Sequence, residues 1–350
     1  MRAIVIHAPH DLRIDTIADV APAPAPGEVR VRMAAGGICG SDLHYYHHGG
    51  FGVVRVKQPM TLGHEAAGRI EALGAGVSGL AIGQLVAVNP SIACDSCDYC
   101  RCGLRNHCEN MLFNGSAMRF PHVQGLFREC IDVGAERAFV MPEGIAPEEA
   151  ALCEPLSVVL HAANQAGELA GKSVLVSGCG PIGVIAVAVA RLRGAARIIA
   201  TDITPHSLAV AQKLGADEVI NVAQEAARLQ AYAEGKGKLD VVFECSGAAP
   251  AIAGAMATLR PRGRMVMVGL GGDAPMNINM VVAREVEIVG TFRFDPEFAE
   301  AAALIGSRRI DLRPAISAVY PLSEAVAAFD HAGDRTRATK VVLSLAEAGA

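Results

Sequence analysis

The stretch from residue 173 to residue 192 limits the fold of this chain more than any other. Ser173-Val174-Leu175-Val176-Ser177 is a short apolar run, Gly178-Cys179-Gly180-Pro181-Ile182-Gly183 follows at once, and residues 182–192 then read as a helix. In a chain with 37 glycines, a G-x-G-x-x-G spacing alone says little. Set between a buried strand and a helix, it has a physical purpose. Gly178 permits a tight turn, Gly180 lets a pyrophosphate approach the backbone, and Gly183 lets the helix close on the strand. Pro181 and Ile182 open a helix whose free N–H groups suit phosphates. Asp202 ends the next strand-like run, nineteen positions beyond Gly183. A carboxylate there accepts hydrogen bonds from both ribose hydroxyls of NAD and repels the 2′-phosphate of NADP. His206 is a nearby cation that partly offsets it; the balance favours NAD.

The rhythm around this motif extends it into a sheet. Strand-like runs at 174–177, 197–201, 218–220, 239–244, 264–269 and 286–289 alternate with helical stretches, and Thr204-Pro205 reads as an N-cap followed by proline at the first helical position. Six strands with helical crossovers predict an α/β unit, a doubly wound six-stranded parallel sheet over residues 151–294. The first 150 residues have another texture. Residues 28–33 alternate polar and apolar with period two, and further strands are expected at 69–73 and 84–88. A compact β-barrel-like domain is the expectation there. Beyond residue 294 the rhythm lapses, and Asp295-Pro296 opens another helix.

Composition removes several classes of function. With 51% hydrophobic and 19% charged residues the chain can build a large core, which argues against disorder. A net charge of −5 opposes a nucleic-acid partner, because phosphates need a basic face. No apolar run approaches the roughly 18 residues that cross a bilayer; the longest, 182–190, stops at Arg191. Residues 1–7 are too short an apolar stretch for a signal peptide, so a cytoplasmic location and a small-molecule partner are expected.

In a reducing compartment ten cysteines raise the question of clustering rather than of disulfides. Four form Cys94-x2-Cys97-x2-Cys100-x7-Cys108, with Cys102 inside the run. Paired thiolates at this spacing suit one tetrahedral zinc. An iron–sulfur cluster competes, since the first three match a bacterial ferredoxin run, but the fourth comes after seven residues and lacks the following proline. Four thiolates leave no open position, so this zinc is expected to be structural, stiffening residues 89–110. Cys130, Cys153, Cys179 and Cys245 lie in apolar contexts and read as packing residues.

A second donor set lies elsewhere. Cys39-Gly40-Ser41-Asp42-Leu43-His44 and Gly63-His64-Glu65 stand about 25 residues apart, and Glu154-Pro155 opens the next region. A thiolate, an imidazole and carboxylates make a ligand set suited to a catalytic zinc with one position open. Asp42 is placed to orient His64.

These stretches carry a resemblance. Gly36-Gly37-Ile38-Cys39-Gly40-Ser41-Asp42-Leu43-His44-Tyr45-Tyr46, Leu62-Gly63-His64-Glu65, Gly115-Ser116-Ala117-Met118, Phe120-Pro121-His122-Val123, Glu154-Pro155-Leu156 and Phe292-Arg293-Phe294 resemble the zinc-containing medium-chain dehydrogenase/reductase family, in its sorbitol dehydrogenase branch, over essentially the whole chain. The resemblance implies a GroES-like β-barrel catalytic domain, residues 1–150 and 295–350, beside a Rossmann domain, residues 151–294. It implies two zinc ions per chain and NAD, with Cys39, His64 and a carboxylate, Glu65 or Glu154, on the catalytic ion. Cys153 is a lesser candidate ligand. Ser41 is implied to take the proton of a secondary alcohol and pass it toward His44. Tyr45 and Arg293 match pocket positions. A sugar acid, as opposed to a polyol, also needs a cation for its carboxylate, and Arg119, His122 and Arg293 are the candidates. The family also implies a dimer or tetramer.

Overall fold

Residues 174–176 are apolar without alternation, which requires a strand covered on both faces. In the computed structural model, which describes residues 1–346, all three are fully buried. Ser173–Ser177 runs parallel between Arg197–Asp202 and Leu239–Glu244, with Leu175 opposite Ile199 on one side and Val242 on the other. The sheet has six parallel strands in the order Glu218–Asn221, Arg197–Asp202, Ser173–Ser177, Leu239–Glu244, Leu259–Met267 and Glu287–Gly290. Numbered within this sheet the order is 3-2-1-4-5-6, so strand order reverses beside Ser173–Ser177, where a dinucleotide binds in such sheets. The helix Pro181–Leu192 covers one face with Val184, Ile185, Val187 and Val189.

Two local expectations need correction. The fifth strand starts at Leu259, five residues before the expected 264, because Leu239 already pairs there across an irregularity. Thr204 has the extended backbone of an N-cap, but its side chain makes no capping bond. Its N–H donates instead to Asp202 Oδ1 at 2.8 Å, a turn closed by the carboxylate two residues earlier.

The first part of the chain builds a seven-stranded sheet around Glu28–Gly37. Val29, Val31 and Met33 point inward, as the period-two pattern requires, and from Ala35 to Gly37 the strand is buried throughout. It pairs antiparallel with Glu65–Leu73, with Cys130–Gly134 and with Lys340–Ser344. The last of these pairs in parallel with Ile316–Pro321, so the chain returns after the parallel sheet to complete the first one. Gly37 lies opposite both Glu65 and Val342. That register gathers the Cys39 loop, Glu65 and Lys340 at one end of the sheet.

The helix Cys153–Ala166 lies between the two sheets, in a core that joins Ala35, Ala67, Leu85 and Ala87 to Val174, Val176 and Val241. Being covered on both sides, it buries ten of its fourteen residues, Glu154 in its first turn among them. No described helix is long and apolar enough to cross a membrane.

Candidate active site and metal centres

Cys39, His64 and Glu65 come from two loops that the sequence separates and the sheet brings together. Their ligand atoms lie within 4.8 Å of one another, with His64 and Glu65 buried. Asp42 binds the loops to each other. Its fully buried carboxylate accepts the N–H of Cys39 at 3.0 Å and that of Gly63 at 3.3 Å. Its Oδ1 lies 3.8 Å from His64 Nδ1, too long for a hydrogen bond, and that ring nitrogen is buried with no other partner. Burial pushes the Cys39 thiol up to about 12, Glu65 adding to the effect and Lys340 opposing it. A half-buried thiol and a buried imidazole and carboxylate converging on one point have the chemistry and the spacing of a zinc site.

Glu154 is buried beside this group but outside it. Burial and then the charges of Glu65 and Cys39 raise its carboxyl to about 8, against the lowering effect of His64. Cys153 is buried without sharing the donor cluster. Lys340, which the sequence reading passed over, is 2% exposed and sets its Nζ 2.7 and 2.6 Å from the two oxygens of Glu65 and 3.0 Å from the carbonyl of Ile38. It opens an apolar run, Val341-Val342-Leu343, and a lysine at a strand end normally reaches solvent.

Ser41 and His44 stand on the helix Gly40–His48, one turn apart. Ser41 stands close enough to the Cys39 sulfur to favour its thiolate, against the larger effect of burial. His44 is exposed, and desolvation, then His48 and Arg335, hold its imidazole below the usual value. The buried Tyr45 hydroxyl accepts the N–H of Ala117 at 3.1 Å. Arg293 has left-handed backbone, φ 53°, and its guanidinium lies 4.3 Å from the Phe113 ring centre, 5.0 Å from that of Phe292 and 3.0 Å from Met118 Sδ. Desolvation lowers it, while Glu154 and Tyr45 are near enough to oppose that.

The other two cations are engaged with backbone groups. Arg119 spends its guanidinium on the carbonyls of Met111 and Glu109. His122 accepts the N–H of Lys57 on Nε2 at 2.8 Å and donates from Nδ1 to the carbonyl of Arg119, also at 2.8 Å. Both look available in sequence because nothing local marks a side chain that braces a loop.

Cys94, Cys97, Cys100 and Cys108 form the second group, again with sulfurs within 4.8 Å. Cys97 and Cys108 Sγ are 4.0 Å apart, and Cys94 N–H donates to Cys108 Sγ at 3.2 Å. Hydrogen bonds from Ser96 and Cys97 bring the Cys94 thiol down to about 5, whereas Cys100, desolvated amid the other sulfurs, rises to about 12. Sulfurs this close fit the tetrahedron of a single ion, roughly 3.8 Å edge to edge, and are too close to enclose a multi-iron cluster. Cys102 is exposed and outside the group.

The glycine turn is built as its spacing requires. Gly178 has φ 90°, and a methyl group on Gly183 would meet the carbonyl oxygen of Gly178 at 1.8 Å, so only glycine lets the helix sit on the strand. Pro181 and Ile182 open the helix, and Gly180 is its N-cap. Asp202 closes the cradle. Its Oδ2 accepts the N–H of Cys179 at 2.7 Å, which fixes the carboxylate beside the turn and leaves it lone pairs for a ribose. The cradle fits a dinucleotide. Glu244, fully buried and also missed, accepts the N–H groups of Ser246 and Gly247 at 3.1 and 3.0 Å, holding the facing loop.

This chain belongs to the zinc-dependent medium-chain dehydrogenase/reductase family, enzymes that use zinc and a nicotinamide dinucleotide to oxidise alcohols. Residues 25–143 match the alcohol dehydrogenase GroES-like domain and residues 181–307 the zinc-binding dehydrogenase domain. It is 40% identical to L-idonate 5-dehydrogenase (NAD(P)(+)) of Escherichia coli K12, over 89% of this chain and 90% of that protein. It is 35% identical to human sorbitol dehydrogenase, over 94% and 91% of the two chains. The crystal structure of L-idonate 5-dehydrogenase from Escherichia coli superposes with a TM-score of 0.92 at 37% identity, covering 98% of this chain and 97% of that one.

Proposed function

We propose that the protein is an NAD-linked dehydrogenase of a sugar acid, oxidising L-idonate to 5-keto-D-gluconate. The observation that carries the sugar-acid reading is Arg293. Of the three cations considered for a carboxylate, it alone keeps a guanidinium free of backbone partners, and it stands near Glu154 and Tyr45 beside the metal donors.

When bound, zinc acts as a Lewis acid on the substrate hydroxyl and NAD accepts the hydride. Cys39, His64 and Glu65 would hold the ion, with Lys340 balancing the charge of Glu65. Glu154, outside that triad, walls the site and would reach a bound ion through a water at most. Ser41 takes the hydroxyl proton and His44, neutral at pH 7, receives it for release to solvent. Arg293 pairs with the carboxylate while Tyr45 orients the carbon chain. Asp202 selects NAD through the ribose. Cys94, Cys97, Cys100 and Cys108 hold a structural zinc, which requires reduced thiols and suits a cytoplasmic protein. The domains follow the two sheets, residues 1–150 with 295–350, and 151–294. Two copies pair through Glu287–Gly290, an outer strand flanked by exposed Ile278 and Val282.

The test is NAD reduction with L-idonate, D-gluconate, sorbitol, xylitol and L-threonine. L-Idonate is expected to give the highest kcat/KM, and Arg293→Gln to raise its KM by about tenfold or more while changing that of sorbitol little. Activity on L-threonine alone rejects the reading. A preference for neutral polyols, unchanged by Arg293→Gln, makes the protein a polyol dehydrogenase.

A further inference from the structure

Arg335, an exposed residue, lies in the segment that follows the helix Ala325–Gly333. A methyl group built on Gly180 would stand 3.1 Å from its Nη1, and beyond the glycine's chain neighbours no other atom comes within 4 Å of that point. Gly180 caps the helix Pro181–Leu192, so the guanidinium rests over that helix's N-terminus. Two positive ends facing each other is an unfavourable arrangement without an anion between them.

Arg335 is also unusual among the arginines here. Nearly all the others are matched by a carboxylate or a carbonyl, whereas Arg335 makes no hydrogen bond and no ion pair among the described residues. The nearest carboxylate in sequence is already committed. Asp334 accepts the N–H of Thr336 at 3.0 Å and Nε of Arg337 at 2.6 Å, and its carbonyl accepts the N–H groups of Arg337 and Ala338. That turn fixes the backbone on both sides of Arg335. The segment is anchored to the metal side of the molecule as well. Tyr46 donates its hydroxyl to Asp330 at 3.0 Å and packs edge-on against Phe329, and Gly333 lies against His47. Arg335 thus projects from the body that carries Ser41 and His44 and reaches the phosphate turn of the other sheet. It is close enough to His44 to disfavour its protonation.

We infer that Arg335 is a cofactor-binding residue: it closes over the dinucleotide from the catalytic side, its guanidinium pairing with the pyrophosphate opposite the N–H groups of the glycine turn. The inference rests on the proposed cofactor site and adds to it a group from the other domain. An arginine fork fits a diphosphate bidentately, which a lysine at the same place does not reproduce.

The experiment uses the zinc-loaded protein and calorimetric titration with ADP-ribose, which carries the diphosphate without the nicotinamide, and with adenosine, which carries neither. Arg335→Ala is expected to weaken ADP-ribose by about tenfold or more, to flatten the salt dependence of its binding, and to leave adenosine binding unchanged. Arg335→Lys should recover part of the loss. Thermal unfolding without ligand should be unchanged, because the side chain has no partner to lose. If the wild-type protein binds ADP-ribose and Arg335→Ala binds it equally well, or loses adenosine to the same degree, the clamp is wrong and the cofactor site stands. If the wild-type protein binds no ADP-ribose, the cofactor site itself falls, and the clamp with it.

Discussion

At the scale of single residues, the donor types were legible and their partners were not. Cys39 and His64 announce themselves by chemistry and spacing, because few other uses bring a thiol, an imidazole and nearby carboxylates together, while only the fold puts Glu65 and not Glu154 within the donor group. His64→Ala should remove one of the two candidate zinc ions per chain and lower kcat by on the order of a thousandfold or more; metal analysis alongside turnover checks both. Full activity with one ion lost would sink the metal assignment. Lys340 and Glu244 escaped notice because each sits at the end of an apolar strand, where a charge usually turns to water. Only the register of the sheet shows that these ends are interior. Asp202 was legible for the opposite reason, since its distance from the glycine turn is set by one helix and one strand. Asp202→Ala should weaken NAD by about tenfold and narrow the preference over NADP, and kcat/KM for each dinucleotide measures it. An unchanged ratio would reject the ribose contact.

At the scale of elements, the helix Cys153–Ala166 and the helix Glu297–Gly306 are joined by one buried group. Glu297 accepts Nδ1 of His161 at 2.9 Å, Nδ2 of Asn164 at 3.0 Å and the N–H of Asp295 at 3.0 Å. Burial opposes its ionisation, but these hydrogen bonds win and hold the carboxyl down to about 2. A depressed carboxyl stabilises the fold at any pH above its ordinary value of 4.5, and the contribution is lost as pH falls from there toward 2. Glu297→Gln should therefore destabilise the protein by about 1–3 kcal/mol near neutrality, and the difference from wild type should shrink in denaturant titrations below pH 4. A constant difference down to acid would show that the carboxylate charge is not what matters. The alternation of strand and helix predicted all six parallel strands because each is a local pattern. The pairing of Ile316–Pro321 and Lys340–Ser344 with a strand from the first forty residues is a long-range event, and no period in the sequence encodes it.

At the scale of the whole molecule, the parallel sheet ends on an unpaired edge. Ile288 on that strand is 37% exposed, and Val282 and Ile278 beside it are 72% and 62% exposed. Such an edge is an aggregation hazard unless it is covered, and a second copy related by a two-fold axis would cover it with the same strand, which is the pairing proposed above. If that pairing holds, Ile288→Lys should leave the protein monomeric in sedimentation at micromolar concentration where the wild type is dimeric. A wild-type protein already monomeric there would remove the proposed pairing. The acidic net charge opposes a nucleic-acid partner from the sequence alone, but no pattern of residues marks which edge of a sheet another chain will use.

The match between Glu65 and Lys340 spans 275 positions of chain. At about 5–20 residues per second, the carboxylate leaves the ribosome roughly 15–55 s before the ammonium that balances it. Throughout that interval the thiol, imidazole and acid are present without their counter-charge, and the strand that should flank Gly37 does not yet exist. Assembly of the reactive centre is thus a closing event of biosynthesis, and a nascent chain arrested before position 340 has made every one of its donors and none of the charge balance they need.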